Sequence, residues 1–264
     1  MMGILCAAVG SVAARHTLTG RLSSWERKNY VGQSVSLSGG LEAAAGLVAG
    51  TIALTRRCCS SGFSERDIAA AIVASLAGAG AGYIDDHLED LFPAKGKGFR
   101  GHLGALGEGQ LTSGVLKIGV IGVGSLAAGL LTGGRMREKA VDAALIALSA
   151  NVVNLLDLRP GRARKVVVAA SLCALPASLV AQVTLGAAAA GLREDLQGKK
   201  MLGDLGSNAL GAHLGVALTA LPWKAKCGVL AVMLGLNAAA ERVSFSRIID
   251  ANPILHKLDC LGRV

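Results

Sequence analysis

The sequence predicts an all-α, polytopic membrane protein of about nine transmembrane helices, with its N-terminus outside and its C-terminus inside. Three observations predict it. Apolar residues make up 52% of the 264 and charged residues only 17%. A soluble domain carries about 25% charge, so this chain lacks the charge to clothe a water-facing surface. Uncharged stretches recur from one end to the other, separated by short charged clusters. Glycine (36 residues) and alanine are dense, as suits membrane helices whose backbones approach closely. Residues 1–264 read as one such domain.

The mean hydropathy of +0.51 excludes intrinsic disorder, which needs low hydrophobicity. Cys58 and Cys59 are adjacent, and Cys6, Cys173, Cys227 and Cys260 are scattered. That spacing excludes a disulfide-framed secreted module and a zinc-type CxxC pair. A net charge of +9 points to nucleic acid in a soluble protein. Here the cations sit in clusters between apolar stretches, as in cytoplasmic loops and headgroup contacts. Two Trp, two Tyr and four Phe leave no room for an RNA-binding aromatic pattern, so nucleic acid is not an expected partner.

Taken in order, Met1–Ala14 has no basic segment before it and no clear cleavage site, so it reads as a first membrane helix rather than a signal peptide. Gly39–Thr55, Ile68–Ile84, Ile118–Gly134 and Ala140–Leu156 follow. Val166–Leu192 is 27 residues without a charge, with Pro176 near its middle. It is either one tilted helix or two short ones. Leu205–Pro222 and Cys227–Ala240 complete the series. Several stretches fall short of the ~20 residues that span a bilayer; their repetition carries the assignment. With two helices at Val166–Leu192 the total is nine. Five loops then face the cytoplasm: Arg15–Ser38, Asp85–Thr112, Asp157–Lys165, Arg193–Asp204 and Glu241–Val264. These hold 18 Lys and Arg, and the outer loops hold 8, in keeping with the positive-inside rule.

Within Lys117–Ala127, Gly122, Gly124 and Ala127 match GxGxxA, and Asp142 lies about where a ribose-binding acid belongs. No βαβ alternation surrounds them, so the stretch reads as a Gly-rich membrane helix.

Four clusters carry chemistry. Asp85 and Asp86 are adjacent carboxylates where a helix meets water, costly there unless solvated, paired or holding a cation. Asn151, Asn154 and Asp157 recur every three residues, on one helix face. Gly203-Asp-Leu-Gly-Ser207 permits a tight turn beside a helix start, whose backbone amides could cradle a phosphate. Lys95-Gly-Lys-Gly-Phe-Arg-Gly-His102, running on to Lys117, supplies cations. All four fall on one side of one membrane. Carboxylate and amide oxygens suit a hard cation such as Mg²⁺, which is held by few protein oxygens plus substrate phosphates. Arg and Lys clamp phosphates. A water-soluble diphosphate and a membrane-bound phosphate are the substrates this chemistry suits.

At these residues the chain resembles the polyprenyl-phosphate sugar-1-phosphate transferases. That family includes phospho-N-acetylmuramoyl-pentapeptide transferase and the UDP-N-acetylglucosamine:undecaprenyl-phosphate transferases. Its Asp-Asp motif resembles Asp85-Asp86, and its Asn-x-x-Asn-x-x-Asp motif resembles Asn151, Asn154 and Asp157. Its Gly-Asp-x-Gly-Ser motif with a following Leu-Gly resembles Gly203 to Gly211, and a Lys after the Asp-Asp loop is similar to Lys117. The order agrees, over roughly residues 38 to 215. The resemblance implies a multi-pass plasma-membrane enzyme of cell-envelope glycan synthesis. It moves a sugar-1-phosphate from a UDP-sugar to a polyprenyl phosphate and releases UMP, with a cytoplasmic active site. It implies Asn154 and Asp204 as Mg²⁺ ligands and Asp85, Asp86 and Asp157 as catalytic carboxylates. Lys117, Asn151, Arg159, Arg162 and Ser207 are then substrate-binding residues. The implied partners are the polyprenyl phosphate, the nucleotide-sugar and the membrane, with homodimerisation left open.

The chain departs from the family pattern in places. The basic residue after Asp-Asp is replaced by His87, Leu88, Glu89 and Asp90. The Gly-Leu-Asp-Gly continuation is replaced by Leu158-Arg-Pro-Gly-Arg. The His-rich late loop is represented only by His256. The resemblance therefore leaves the donor sugar open and disfavours the cell-wall pentapeptide. Two other functions are weighed beside it: a catalytically degenerate relative that binds lipid phosphate or assembles with other proteins, and a small transporter using Glu42, Asp142 and His213.

Overall fold

Helices dominate the computed structural model, which describes residues 1–18, 25–29, 31–55, 64–92, 101, 104–105 and 107–263. Arg56, Arg57, Cys58, Cys59, Lys95, Lys97, Arg100 and His102 lie outside the described residues. After α1 (Met2–Leu18) comes a short hairpin, β1 (Glu26–Lys28) with β2 (Ser34–Ser36), then α2 (Ser38–Thr55) and α3 (Glu65–Leu88). There follow α4 (Ser113–Leu131), α5 (Met136–Leu156), α6 (Arg162–Ala174), α7 (Val180–Ala190) and α8 (Leu192–Leu196). The chain closes with α9 (Gly203–Thr219), α10 (Trp223–Ala240), α11 (Phe245–Ala251) and α12 (Pro253–Cys260).

Local chemistry sets the boundaries. Ser64 and Asp67 form a capping box at the start of α3, each satisfying a backbone N–H that the first turn leaves unpaired. Thr112 does the same for α4, accepting from Val115 N–H at 3.1 Å. The residues 117–127 lie wholly inside α4, so Gly122, Gly124 and Ala127 belong to a helix and not to a nucleotide-binding turn. The uncharged stretch 166–192 is two helices: α6 ends at Ala174 and α7 starts at Val180. Pro176 between them has no N–H to give and disfavours helix at the residue before it.

Four segments are long and apolar enough to cross a membrane: Ser38–Thr55, Glu65–Leu91, Ser113–Leu131 and Met136–Leu156. A fifth counts if α10 and α11, bent by 98° across a short break, are taken as one span. All nine expected apolar segments are helical, but the nine spans are not reached: α1 and α9 stop at 17 residues, α10 passes only together with α11, and α6 and α7, with 13 and 11 residues, are too short. At 1.5 Å per residue each covers about 20 Å or less of a hydrocarbon core about 30 Å thick. The Pro176 break is the reason.

The core is built around α9. Leu205 to Leu218 are all buried, enclosed by α2, α3, α5 and α7. Glycine makes this enclosure feasible. A Cβ at Gly211 would stand 2.5 Å from the Ser149 carbonyl oxygen, and one at Gly215 would stand 2.5 Å from Ile146 Cα. On the α3 side, a Cβ at Gly78 would meet the Asn208 carbonyl oxygen at 2.6 Å. The neighbouring backbones thus approach α9 closer than any larger residue allows.

The three intramembrane groups considered for transport are each satisfied locally. His213 sits between the hydroxyls of Thr51 (3.0 Å) and Thr184 (2.8 Å), tying α9 to α2 and α7. Asp142 accepts from Lys226 (2.6 Å) and Thr132 (2.8 Å). Glu42 accepts from Arg15 (3.1 Å) and from Lys200. They form three separate sets and no relay.

Candidate functional site

Two helix ends and two helix starts meet at one point. α3 delivers Asp85 and Asp86 in its last turn, and α5 delivers Asn154 in its last turn. α4 brings Lys117 near its start, and α9 begins with Gly203, Asp204 and Ser207. Helix starts present unpaired N–H groups and a positive dipole end, which favour carboxylates.

Asp86 answers the start of α9 directly. Its side chain is 1% exposed and faces Arg27 at 3.3 Å. Its other oxygen accepts the Leu205 backbone N–H at 2.9 Å. This contact explains the glycines of the Gly-Asp-Leu-Gly turn. Gly203 has φ +61°, and a Cβ there would meet the Asp86 carboxylate at 2.8 Å; only glycine takes that backbone conformation without strain. Gly206 packs on Gly40 of α2, with a Cβ–Cα separation of 2.5 Å if a Cβ were added.

Lys117 stands at the centre. Its ammonium is 3.2 Å from Asp85 and also bonds Asp204. With the Asn154 amide in the orientation that satisfies both its groups, its nitrogen donates to Ser207 Oγ (2.8 Å) and Asp204 Oδ1 (3.0 Å). Its oxygen then accepts from Lys117 at 2.8 Å. Asp85, Lys117, Asn154, Asp204 and Ser207, from four helices, therefore form one hydrogen-bonded cluster.

The cluster borders a cleft of about 470 Å³ lined by Asn154 and Asp204, by Asp157, and by Arg27, Lys28, Arg159 and Lys200. Asp157 follows the last turn of α5 and is buried. One of its oxygens has no hydrogen-bond partner among the described residues. Burial, and next the negative charge of Asp195, push its carboxyl well above the ordinary value, against the pull of Arg164.

Two expected site residues point elsewhere. Asn151 donates to Asn237 of α10; one turn earlier on the same face of α5, it meets α10, whereas Asn154 meets the start of α9. Arg162 holds Asp259 through two bonds of 2.7 Å and Ser246 through one of 2.9 Å, which leaves it no reach into the cleft. Arg159 lines the cleft and lies 3.7 Å from Asp250. Asp86, expected to act on the lipid phosphate, is committed to the α9 backbone.

Other residues escaped the sequence reading. The β1–β2 hairpin, inside what read as a loop, brings Arg27, Lys28 and Asn29 to the cleft. Met201 N–H donates to the Ser36 carbonyl at 3.0 Å, so the hairpin joins the segment leading into α9. Trp25 packs at a tilt against His87 (ring centroids 4.3 Å apart), and His87 packs likewise against Tyr83 (4.9 Å), fastening the hairpin to α3. The alternation around Val35 and the Asn29–Gly32 turn were the available signals. Arg164, fully buried, bonds Asp195 (3.2 Å) and the carbonyls of Ala187 (3.3 Å), Ala188 (3.2 Å) and Gly39 (3.0 Å). It satisfies carbonyls that the end of α7 leaves open.

The oxygens of Asp85, Asp204 and Asn154 are the right donors for a hard cation. The point they share is filled by the Lys117 ammonium, and among the described residues no three His, Cys, Asp or Glu side chains gather as a metal cage. No protein-family model matches the chain, and no curated protein matches it.

Proposed function

We propose that the protein is a membrane transferase that moves a sugar-1-phosphate from a UDP-sugar to a polyprenyl phosphate. The supporting observation is the meeting of Asp85, Lys117, Asn154, Asp204 and Ser207, which are far apart in sequence, beside a cleft edged by Arg27, Lys28, Arg159 and Lys200. These are the groups that resemble the family motifs. In this reading the nine apolar segments run N-terminus out and C-terminus in, and the cleft opens to the cytoplasm.

The cleft cations hold the diphosphate of the donor. A phosphate oxygen of the polyprenyl phosphate forms a bond to the β-phosphorus. The bond from that phosphorus to the oxygen bridging to the α-phosphate breaks, and UMP leaves with the electron pair. The attacking phosphate is already largely ionised at neutral pH, so no strong base is needed, in accord with Asp86 being occupied. Lys117 offsets the repulsion between the two anions. Asp85, Asp204 and Asn154 would hold Mg²⁺, which when bound supplies positive charge to the diphosphate oxygens. Asp86 is a positioning residue for α9.

A second reading is favoured by Lys117 itself. An ammonium among Asp85, Asp204 and Asn154 neutralises the cluster without a metal, as suits a non-catalytic lipid-phosphate-binding relative. Purified protein in detergent with polyprenyl phosphate, Mg²⁺ and a panel of UDP-sugars separates them. UMP release that needs both lipid and metal supports the transferase. Lipid binding without UMP release from any donor supports the second reading.

A further inference from the structure

The last two helices stand apart from the bundle. α11 leaves α10 at 98°, so it runs across the bundle axis rather than along it. α12 is strongly two-faced. Ile254 (72% exposed), Leu255 (41%), Leu258 (57%) and the following Leu261 (65%) are turned away from the protein, with Ile248 of α11 (47%). Positions 254, 255 and 258 fall on one helix face, and Leu261 follows just past the helix end. Arg242, Arg247 and Lys257 are exposed on the same segment and make no ion pair among the described residues, whereas its exposed acid, Asp250, lies 3.7 Å from Arg159 and 3.6 Å from His256.

One side of α12, at Asp259, is held firmly. Asp259 takes two bonds from Arg162 (2.7 Å each) and forms an ion pair with Arg263 at 2.8 Å. Lys165 donates to the carbonyls of Leu258 (3.0 Å), Asp259 (2.6 Å) and Leu261 (3.2 Å), groups that a helix end leaves open. Arg263 reaches the Pro160 carbonyl at 3.0 Å. The segment 159–165, which donates most of these bonds through Arg162 and Lys165, also brings Arg159 to the cleft.

We propose that α11 and α12 form an in-plane anchor that seats on anionic phospholipid headgroups beside the cleft. Ile248, Ile254, Leu255 and Leu258 enter the acyl boundary, and Arg242, Arg247 and Lys257 meet the headgroups. An exposed apolar face on a short helix flanked by cations matches the interfacial mode of membrane binding. Charge complementarity selects lipid over a second copy, since a twofold contact through this face sets like charges together. The clasp through Asp259 then fixes the height of the cleft mouth above the lipid. The proposal rests on membrane association and not on the transferase reading.

The test uses the full chain, with its native cysteines replaced, in nanodiscs of phosphatidylcholine alone or mixed with phosphatidylglycerol. Spin labels are placed singly at Leu258→Cys, Ile254→Cys and, as the water-facing control, His256→Cys. Labels at 254 and 258 should favour oxygen over a nickel chelate as collider, the control should favour nickel, and phosphatidylglycerol should raise the oxygen preference. Arg247→Gln with Lys257→Gln should lose that lipid-dependent rise. Nickel access at 254 and 258 in both lipids overturns the proposal. So does dipolar broadening at both positions, which would mean a second copy covers the face. Two label positions on an exposed surface keep the test decisive if one variant misfolds.

Discussion

Lys117 sits where two carboxylates and an amide oxygen converge, and the behaviour of the site turns on that single charge. A unit charge about 4 Å from a cation is worth roughly 4 kcal/mol at an effective dielectric of 20. Lys117→Gln should therefore raise Mn²⁺ affinity tenfold or more by electron paramagnetic resonance while lowering UMP release, and Lys117→Arg should leave Mn²⁺ binding weak. Equal affinity in wild type and Lys117→Gln would show that the ammonium does not compete. On the transferase reading, Asp204→Asn and Asp85→Asn should each cut UMP release by about 10²- to 10³-fold, the scale of losing one preorganised polar group. Asp157 behaves differently. Its folded-state carboxyl lies well above the ordinary 3.8 because of burial and Asp195. The folded chain therefore binds its proton more tightly than the unfolded chain, and this residue's contribution to stability falls as pH rises above that ordinary value. Asp157→Asn should raise Tm at neutral pH and flatten the decline of stability above pH ~4. An unchanged pH profile would place the penalty elsewhere.

At the scale of elements, glycines set how closely helices approach, and their surroundings differ sharply. Gly211 of α9 has backbone atoms of α5 where a Cβ would go, whereas Gly122 of α4 has nothing within 4 Å. Gly211→Val should cost about 3 kcal/mol or more through overpacking. Gly122→Ala should stabilise by about 0.5–1 kcal/mol through helix propensity alone. Thermal unfolding in detergent reads both. Arg164→Met should cost about 3–5 kcal/mol, since it strands buried Asp195 and the open carbonyls of α7. The clasp on α12 should tolerate acid: burial raises the Asp259 carboxyl, but the bonds and charge of Arg162, and Arg263 with it, more than offset this. Its contribution is present above the ordinary 3.8 and fades only as pH falls below it. Much of this level was legible in advance. Apolar runs marked every long helix, and Pro176 marked the break, because both depend on local composition. The hairpin was not legible, since Glu26–Lys28 and Ser34–Ser36 are stabilised by the segment before α9 and by Trp25 on His87. Nor was the divergence of Asn151 from Asn154, which is decided by the neighbours that α5 meets.

Over the whole molecule, polar groups collect at the two ends of the long helices. Asp142 lies near the start of α5 with Lys226 and Asp67 around a second cavity of about 390 Å³, and Asp157 follows the end of α5. With 21 residues, α5 is about 30 Å long, the thickness of a hydrocarbon core, and it separates Asp142 from Asp157 by about 22 Å along its axis. Membrane-impermeant maleimide on a cysteine-replaced chain should therefore label Lys139→Cys and Lys199→Cys from opposite sides of sealed vesicles. Labelling from one side would remove the shared basis of the membrane reading and of the cleft orientation. The meeting of the motifs at this end was anticipated from their common place at helix boundaries, whereas the exclusion of Arg162 depended on a tail residue, Asp259, that no motif includes. The enclosure of α9 carries a further consequence for biosynthesis. The helix that brings Asp204 is made after the walls that surround it. A ribosome stalled before Gly203 would hold α2, α3, α5 and α7 without the helix on which they pack.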